Sequence, residues 1–137
     1  MERFRRFFGK IPTGVLSGLT VAVILWLTLA PHPTGNLDLP LFPGADKVVH
    51  ALMFGFLTFV VLFEIMKRRG WKPVSLPIAG VVAFAVSLFG FAIELIQRAM
   101  GLGREFEALD ILADGAGAFI AAAIWAAMQN LFATDDQ

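Results

Sequence analysis

Four apolar stretches, at about residues 12–30, 48–66, 74–97 and 108–132, leave this chain few ways to fold. A helix crosses roughly 30 Å of hydrocarbon with about 20 mostly apolar residues, because it rises about 1.5 Å per residue. Each stretch is long enough. Between them lie "PHPTGNLDLPLFPGAD" (31–46), "KRRGWKP" (67–73) and "GLGREFE" (101–107), whose prolines, glycines and charges break helices. The expectation is an all-α, polytopic membrane protein: a four-transmembrane-helix bundle forming a single domain over residues 1–137. Composition agrees, with 58% hydrophobic and 16% charged residues against roughly 45–50% and 25% in soluble proteins. The formal net charge of zero offers no global basic surface, so nucleic acid is not an expected partner. Absence of cysteine removes disulfides, thiolate metal sites and cysteine nucleophiles.

The first stretch has the outline of a signal peptide, with a basic "MERFRRFFGK" before an apolar "VLSGLTVAVILWLTLA". Pro31 directly after Ala30 argues against cleavage there, and three further spans follow, so it is read as a membrane helix. Orientation follows from the cations. Arg3, Arg5, Arg6 and Lys10 precede the first span, and Lys67, Arg68, Arg69 and Lys72 lie between the second and third. That side is expected to be cytoplasmic, with both termini inside. Lys47, Arg98 and Arg104 fall at the outer ends, together with most of the acids.

The outer rim is where the chemistry collects. Asp46 and His50 stand at i, i+4 in "DKVVHALMFG", with Phe54 a turn further along the same stripe. By itself Asp46 reads as an N-cap and Lys47 as a snorkelling interfacial cation. His50 lies a turn deeper, where neither role applies. Glu94, Gln97 and Arg98 fall at i, i+3, i+4 near the end of the third span, with Ser87 and Gly90 extending that face inward. Arg98 reads as an interfacial anchor. A carboxylate at mid-span costs about 2.5–3.5 kcal/mol on insertion scales, and less near the interface, so Glu94 should face protein or water. Asp110 and Asp114 share a helix face with Gly117, Ala118 and Ala121, small residues that let a second helix approach closely. Glu105 and Glu107 read as solvated loop residues. Glu64 reads as the i, i+4 partner of Arg68.

"LAPHP", "DKVVHALMFGFL", "ELIQ" and "GREFEALDILADGAGA" together resemble the VanZ-like family of small bacterial membrane proteins. Its pattern is D-K-x-x-H at the second helix, E-x-x-Q ending the third and R-x-x-x-x-x-D-x-x-x-N-x-x-G opening the fourth. The likeness covers roughly residues 25–120. It places the family's polar positions at Asp46, Lys47, His50, Glu94, Gln97, Arg104 and Asp110, with Gly117 closing the pattern. Asp114 stands where the family usually has asparagine, adding an anionic group. The resemblance implies a bacterial cytoplasmic membrane setting and, from the family's naming protein, low-level resistance to teicoplanin, a glycopeptide that acts on lipid-linked cell-wall precursor.

Two functional classes suit these residues. The first is a site for a lipid-linked or anionic envelope molecule at the outer leaflet. Lys47 and Arg104 would hold the anionic head group, His50 would serve as general base, and Asp46 or Glu94 would orient it. His50, Glu94 and Asp110 are then the candidate catalytic residues, with Asp46, Lys47, Gln97, Arg104 and Asp114 as binding residues. An imidazole with the carboxylates of Glu94, Asp110 and Asp114 also suits zinc or manganese, although no H-x-x-x-H or H-E-x-x-H pair is present. The second class is a non-catalytic module whose polar groups form an interhelical packing or partner-docking network. A proton or ion pathway would draw on the same acids, but the inner halves of the second and third spans supply little beyond Thr58, Glu64 and Ser87.

Overall fold

The computed structural model of the protein describes residues 1–31, 42–101 and 107–133. These form five α-helices, α1 (Glu2–Gly9), α2 (Val15–Leu29), α3 (Ala45–Arg68), α4 (Leu76–Met100) and α5 (Ala108–Met128). A 3₁₀ turn, Gln129–Leu131, continues α5, and no strand occurs among the described residues. The chain is therefore all-helical. α3, α4 and α5 with its 3₁₀ turn are each long and apolar enough to cross a membrane.

The first expected span is shorter than its sequence suggested. Pro12 has no N–H to offer a helix, and Gly14 adopts a left-handed φ of 95° at the N-cap of α2, so residues 12–14 are spent on the turn. The fifteen residues that remain reach only about 22 Å at 1.5 Å per residue. Upstream, "ERFRRFFG" forms the separate helix α1, with Phe4 and Phe8 on the face turned toward the bundle and Phe7 exposed. α3 begins three residues before its expected start, after Gly44 at φ 84°, and this corrects the role given to Asp46. Gly44 is the N-cap, no side chain caps the helix, and Asp46 lies within the first turn. α4 opens with Pro77 in its first turn and stops at Gly101, whose φ is 62°.

α3 is the centre of the bundle, packed against α2, α4 and most extensively α5. That last interface depends on missing side chains. A Cβ at Gly117 would run into the backbone carbonyl of Ala51, and one at Gly55 would sit 3.0 Å from the Gly117 carbonyl oxygen. Bilayer helices gain little from hydrophobic sorting, so this close backbone approach is the means of association. The outer surface carries large exposed apolar side chains, Leu52, Phe56, Val81, Phe84 and Ile120 among them. A hydrocarbon surround suits them, as it suits helices whose backbone bonds are all internal.

At one end of the bundle α1 meets Phe132 and Ala133, the last described residues. Arg5 Nε donates to the Phe132 carbonyl at 3.2 Å and its guanidinium reaches the Ala133 carbonyl as well. Phe4 packs with ring centroids 6.0 Å from both Phe63 and Phe132. The same end corrects the pairing expected for Glu64. Its carboxylate, 3% exposed, accepts the N–H groups of Gly14, Leu16 and Ser17 at 3.0, 3.2 and 3.4 Å and the Ser17 hydroxyl at 2.5 Å. An exposed i, i+4 pair is worth about 0.2–0.5 kcal/mol. A carboxylate that satisfies the orphan donors at a helix N-terminus and faces the positive end of its dipole is worth more, so Glu64 caps α2 rather than pairing with Arg68.

Candidate functional site

The opposite end of the bundle gathers the start of α3, the end of α4 and the start of α5. From these three helices come His50, Glu94, Asp110 and Asp114. Asp114 is 1% exposed and its Oδ1 lies 2.9 Å from His50 Nδ1, joining α5 to α3. A carboxylate in that position accepts from Nδ1–H, which leaves Nε2 with its lone pair. His50 Nε2 faces Asp110 Oδ2 at 4.0 Å, too far for a direct hydrogen bond. The imidazole lies parallel to the ring of the fully buried Phe54 one turn below, which floors the cluster.

Glu94 completes the group from α4. It is 2% exposed, and its Oε1 is buried without a hydrogen-bond partner. One ligand atom each from His50, Glu94 and Asp110 fall within 4.8 Å of one another. Room for this arrangement comes from Gly90, one turn before Glu94 on the same face. A Cβ there would lie 2.5 Å from Asp114 Oδ2.

The other predicted residues have different engagements. Lys47 Nζ meets Asp46 at 2.5 Å, Asp110 at 2.7 Å and the Glu107 carboxylate in one ion-pair fan. This corrects two expectations. Glu107 is the N-cap residue of α5 and an ion-pair partner rather than a merely solvated acid, and Lys47 is not a free anchor for a head group. The reason is electrostatic: three carboxylates compensate its one positive charge and repel an incoming anion. Asp46 turns to Lys47 instead of orienting His50. Gln97 is 4% exposed and donates to the Thr28 carbonyl at 2.7 Å, tying α4 to the end of α2. Arg104 and Glu105 lie outside the described residues.

Sequence reasoning passed over Gly55 and the pairing of Glu107, both of which shape this end. An apolar groove of about 440 Å³ runs down the α3/α5 surface and includes Ala51, Gly55, Phe59, Gly117 and Ile124. It begins one residue after His50 and three after Asp114. The signal available was the small residue at each of positions 51, 55, 117 and 121, recurring at helical spacing on two helices.

The profile of the VanZ/LLP1 family matches residues 13–129. The chain belongs to the VanZ/LLP1 family. The match takes in α2 to α5, with all four clustered side chains, so the polar end described here lies within the family's own region. With its three long apolar helices, this VanZ/LLP1 protein is a multi-pass membrane protein. No curated protein and no solved structure matches the chain.

Proposed function

We propose that this VanZ/LLP1 protein is a single-domain, four-span protein of the bacterial cytoplasmic membrane that binds or processes a lipid-linked, anionic envelope molecule at the outer leaflet. α2 serves as the fourth span, helped across a thinner stretch of bilayer by its flanking turns. Both termini are cytoplasmic. The positive-inside rule supports that orientation, because Arg3, Arg5, Arg6, Lys10, Lys67, Arg68, Arg69 and Lys72 lie toward the end where α1 meets Phe132 and Ala133. The polar cluster then faces outward.

The observation that carries this reading is the pairing of His50 with the buried Asp114. Such a carboxylate holds an imidazole in one tautomer and stabilises the charge that forms when it accepts a proton. Interhelical glue would need only a serine or an asparagine, whereas ionisable groups at membrane depth are expensive. The adjoining groove suits the lipid part of the ligand: it is apolar, and its lining starts at Ala51, the residue after His50. A head group over His50 and an acyl or prenyl chain along Gly55 and Gly117 would engage both features at once. Resistance to teicoplanin is the expected phenotype, since that drug acts on lipid-linked precursor.

Expression in a teicoplanin-sensitive bacterium tests the reading. The wild-type chain should raise the inhibitory concentration several-fold, and His50→Ala and Glu94→Gln should reach the membrane in normal amounts yet give no protection. A photoreactive polyprenyl phosphate should cross-link to peptides of α3 or α5. Full protection by both variants would refute the site. Failure of both variants to accumulate would favour the packing-network reading instead.

A further inference from the structure

The acids at this end of the bundle are unevenly compensated. Asp46, Glu107 and Asp110 Oδ1 share the ammonium of Lys47, which occupies the place a cation would take among them. Among the described residues, Glu94, Asp114 and Asp110 Oδ2 face the imidazole of His50 as their one basic group, and Glu94 Oε1 is buried without a hydrogen-bond partner. Buried carboxylates without compensation are among the costliest groups a membrane protein can hold. Among the described residues, no ammonium pairs with the inner set as Lys47 pairs with the outer one.

We infer that His50 Nε2, Glu94 Oε1 and Asp110 Oδ2 form a binding site for one divalent first-row metal ion, zinc or manganese, at the outer rim of the bundle. This builds on the reading of the cluster as a functional pocket. Two ligands on one tetrahedral zinc ion, each about 2.0–2.2 Å from it, stand about 3.3–3.6 Å apart. The 4.0 Å between His50 Nε2 and Asp110 Oδ2 is too long for a hydrogen bond and lies about 0.5 Å outside that spacing. The widest ligand separation, within 4.8 Å, closes to that spacing with side-chain shifts totalling about 1.3 Å.

The surroundings fit as well. Metal-binding histidines donate their second ring N–H to a carboxylate or carbonyl, and Asp114 stands in that position, 2.9 Å from Nδ1. Lys47 holds the other oxygen of Asp110, so that carboxylate is oriented from its far side. Three protein ligands leave a fourth position open on a tetrahedral ion. A phosphate oxygen of a lipid head group could fill it, which resolves how an acidic pocket attracts an anion: the ion, and not Lys47, would supply the positive charge.

The test is metal binding by the whole chain in mild detergent, purified without a polyhistidine tag and stripped with a chelator. Titration with zinc or manganese alone should show about one ion per chain. X-ray absorption of the zinc-loaded protein should show one imidazole among oxygen ligands. His50→Ala and Glu94→Gln should each weaken binding at least tenfold. Asp114→Ala should weaken it by about 10- to 100-fold through loss of the imidazole's partner, while Glu2→Gln, an exposed acid at the opposite end, stays within about twofold. No saturable binding of either metal to the wild-type chain would overturn the site, as would unchanged affinity in both His50→Ala and Glu94→Gln. If those variants unfold, the wild-type spectrum decides, and zero imidazoles or two would overturn it. Loss of antibiotic protection in variants of a chain that never binds metal would sink this site and leave the pocket standing. Loss of metal with protection intact would do the reverse.

Discussion

Gly90→Ala is the smallest change that should dismantle the polar cluster without touching any of its members. A Cβ at residue 90 would lie 2.5 Å from Asp114 Oδ2, 3.0 Å from its Cβ and 3.1 Å from its Cγ. Rotating the carboxylate relieves only the first of these, because the other two atoms barely move with that rotation. Asp114 as a whole, or α5 with it, must therefore retreat from α4 by roughly 0.4 Å to bring the 3.0 Å contact to an ordinary 3.4 Å. That displacement strains the 2.9 Å link to His50 and moves Glu94 away from Asp110. Overpacking of this kind costs about 1–3 kcal/mol, offset by about 0.8–1 kcal/mol from alanine's better helix propensity. Gly80 lies on the same helix with nothing within 4 Å of an added methyl, so Gly80→Ala collects the propensity gain alone. Chemical unfolding in detergent, followed by circular dichroism, should place Gly90→Ala about 1–3 kcal/mol below Gly80→Ala. Protection against teicoplanin should fall with it. If Gly90→Ala equals Gly80→Ala in stability and still protects, the close fit between Gly90 and Asp114 is not what builds the site.

Three further outcomes follow from the same geometry. Glu64→Gln should cost about 1–2 kcal/mol by weakening the cap on α2, while Arg68→Ala stays within about 0.5 kcal/mol; equal losses in unfolding experiments would restore the ion-pair explanation. Gln129 receives the Val74 N–H at 2.6 Å and donates to the Val74 carbonyl at 3.0 Å, so Gln129→Ala should destabilise by about 2–3 kcal/mol through two buried backbone groups left unpaired; a loss under about 0.5 kcal/mol in the same unfolding assay would show that water replaces the side chain. An alkaline phosphatase fused after Gln137 should be inactive and a fluorescent cytoplasmic reporter bright; the opposite pattern would invert the orientation.

Hydropathy and helix breakers located the long helices to within a few residues, because burial in lipid is a property of a segment and can be read locally. The association of His50, Glu94, Asp110 and Asp114 was also legible, since each stood near the same end of its span and ionisable groups avoid lipid. Local reasoning failed wherever a partner came from far along the chain. Glu64 has Arg68 four residues away, yet its donors are 47 to 50 residues distant. Helical spacing cannot see them. Lys47 and Glu107 are separated by 60 residues, and nothing in either loop announces the pair. Gly90 was visible as part of the Glu94 face, but the space it leaves for Asp114 depends on how α4 and α5 dock. Helix α1 was hidden by its charge: "ERFRRFFG" reads as an orientation signal, and Phe4 and Phe8 meet Phe63 only in the assembled bundle.

The contact between Arg5 and the carbonyls of Phe132 and Ala133 has a consequence for how the protein is made. The two partners are 127 and 128 residues apart, so α1 leaves the ribosome long before its docking site exists. At about 5–20 residues per second that interval is roughly 6–25 s. During it a basic, phenylalanine-bearing helix can rest on the anionic membrane surface. Docking must wait until the last helix is inserted. α1 would thus act as a latch on a completed assembly, and its release from the surface would report that the bundle has closed.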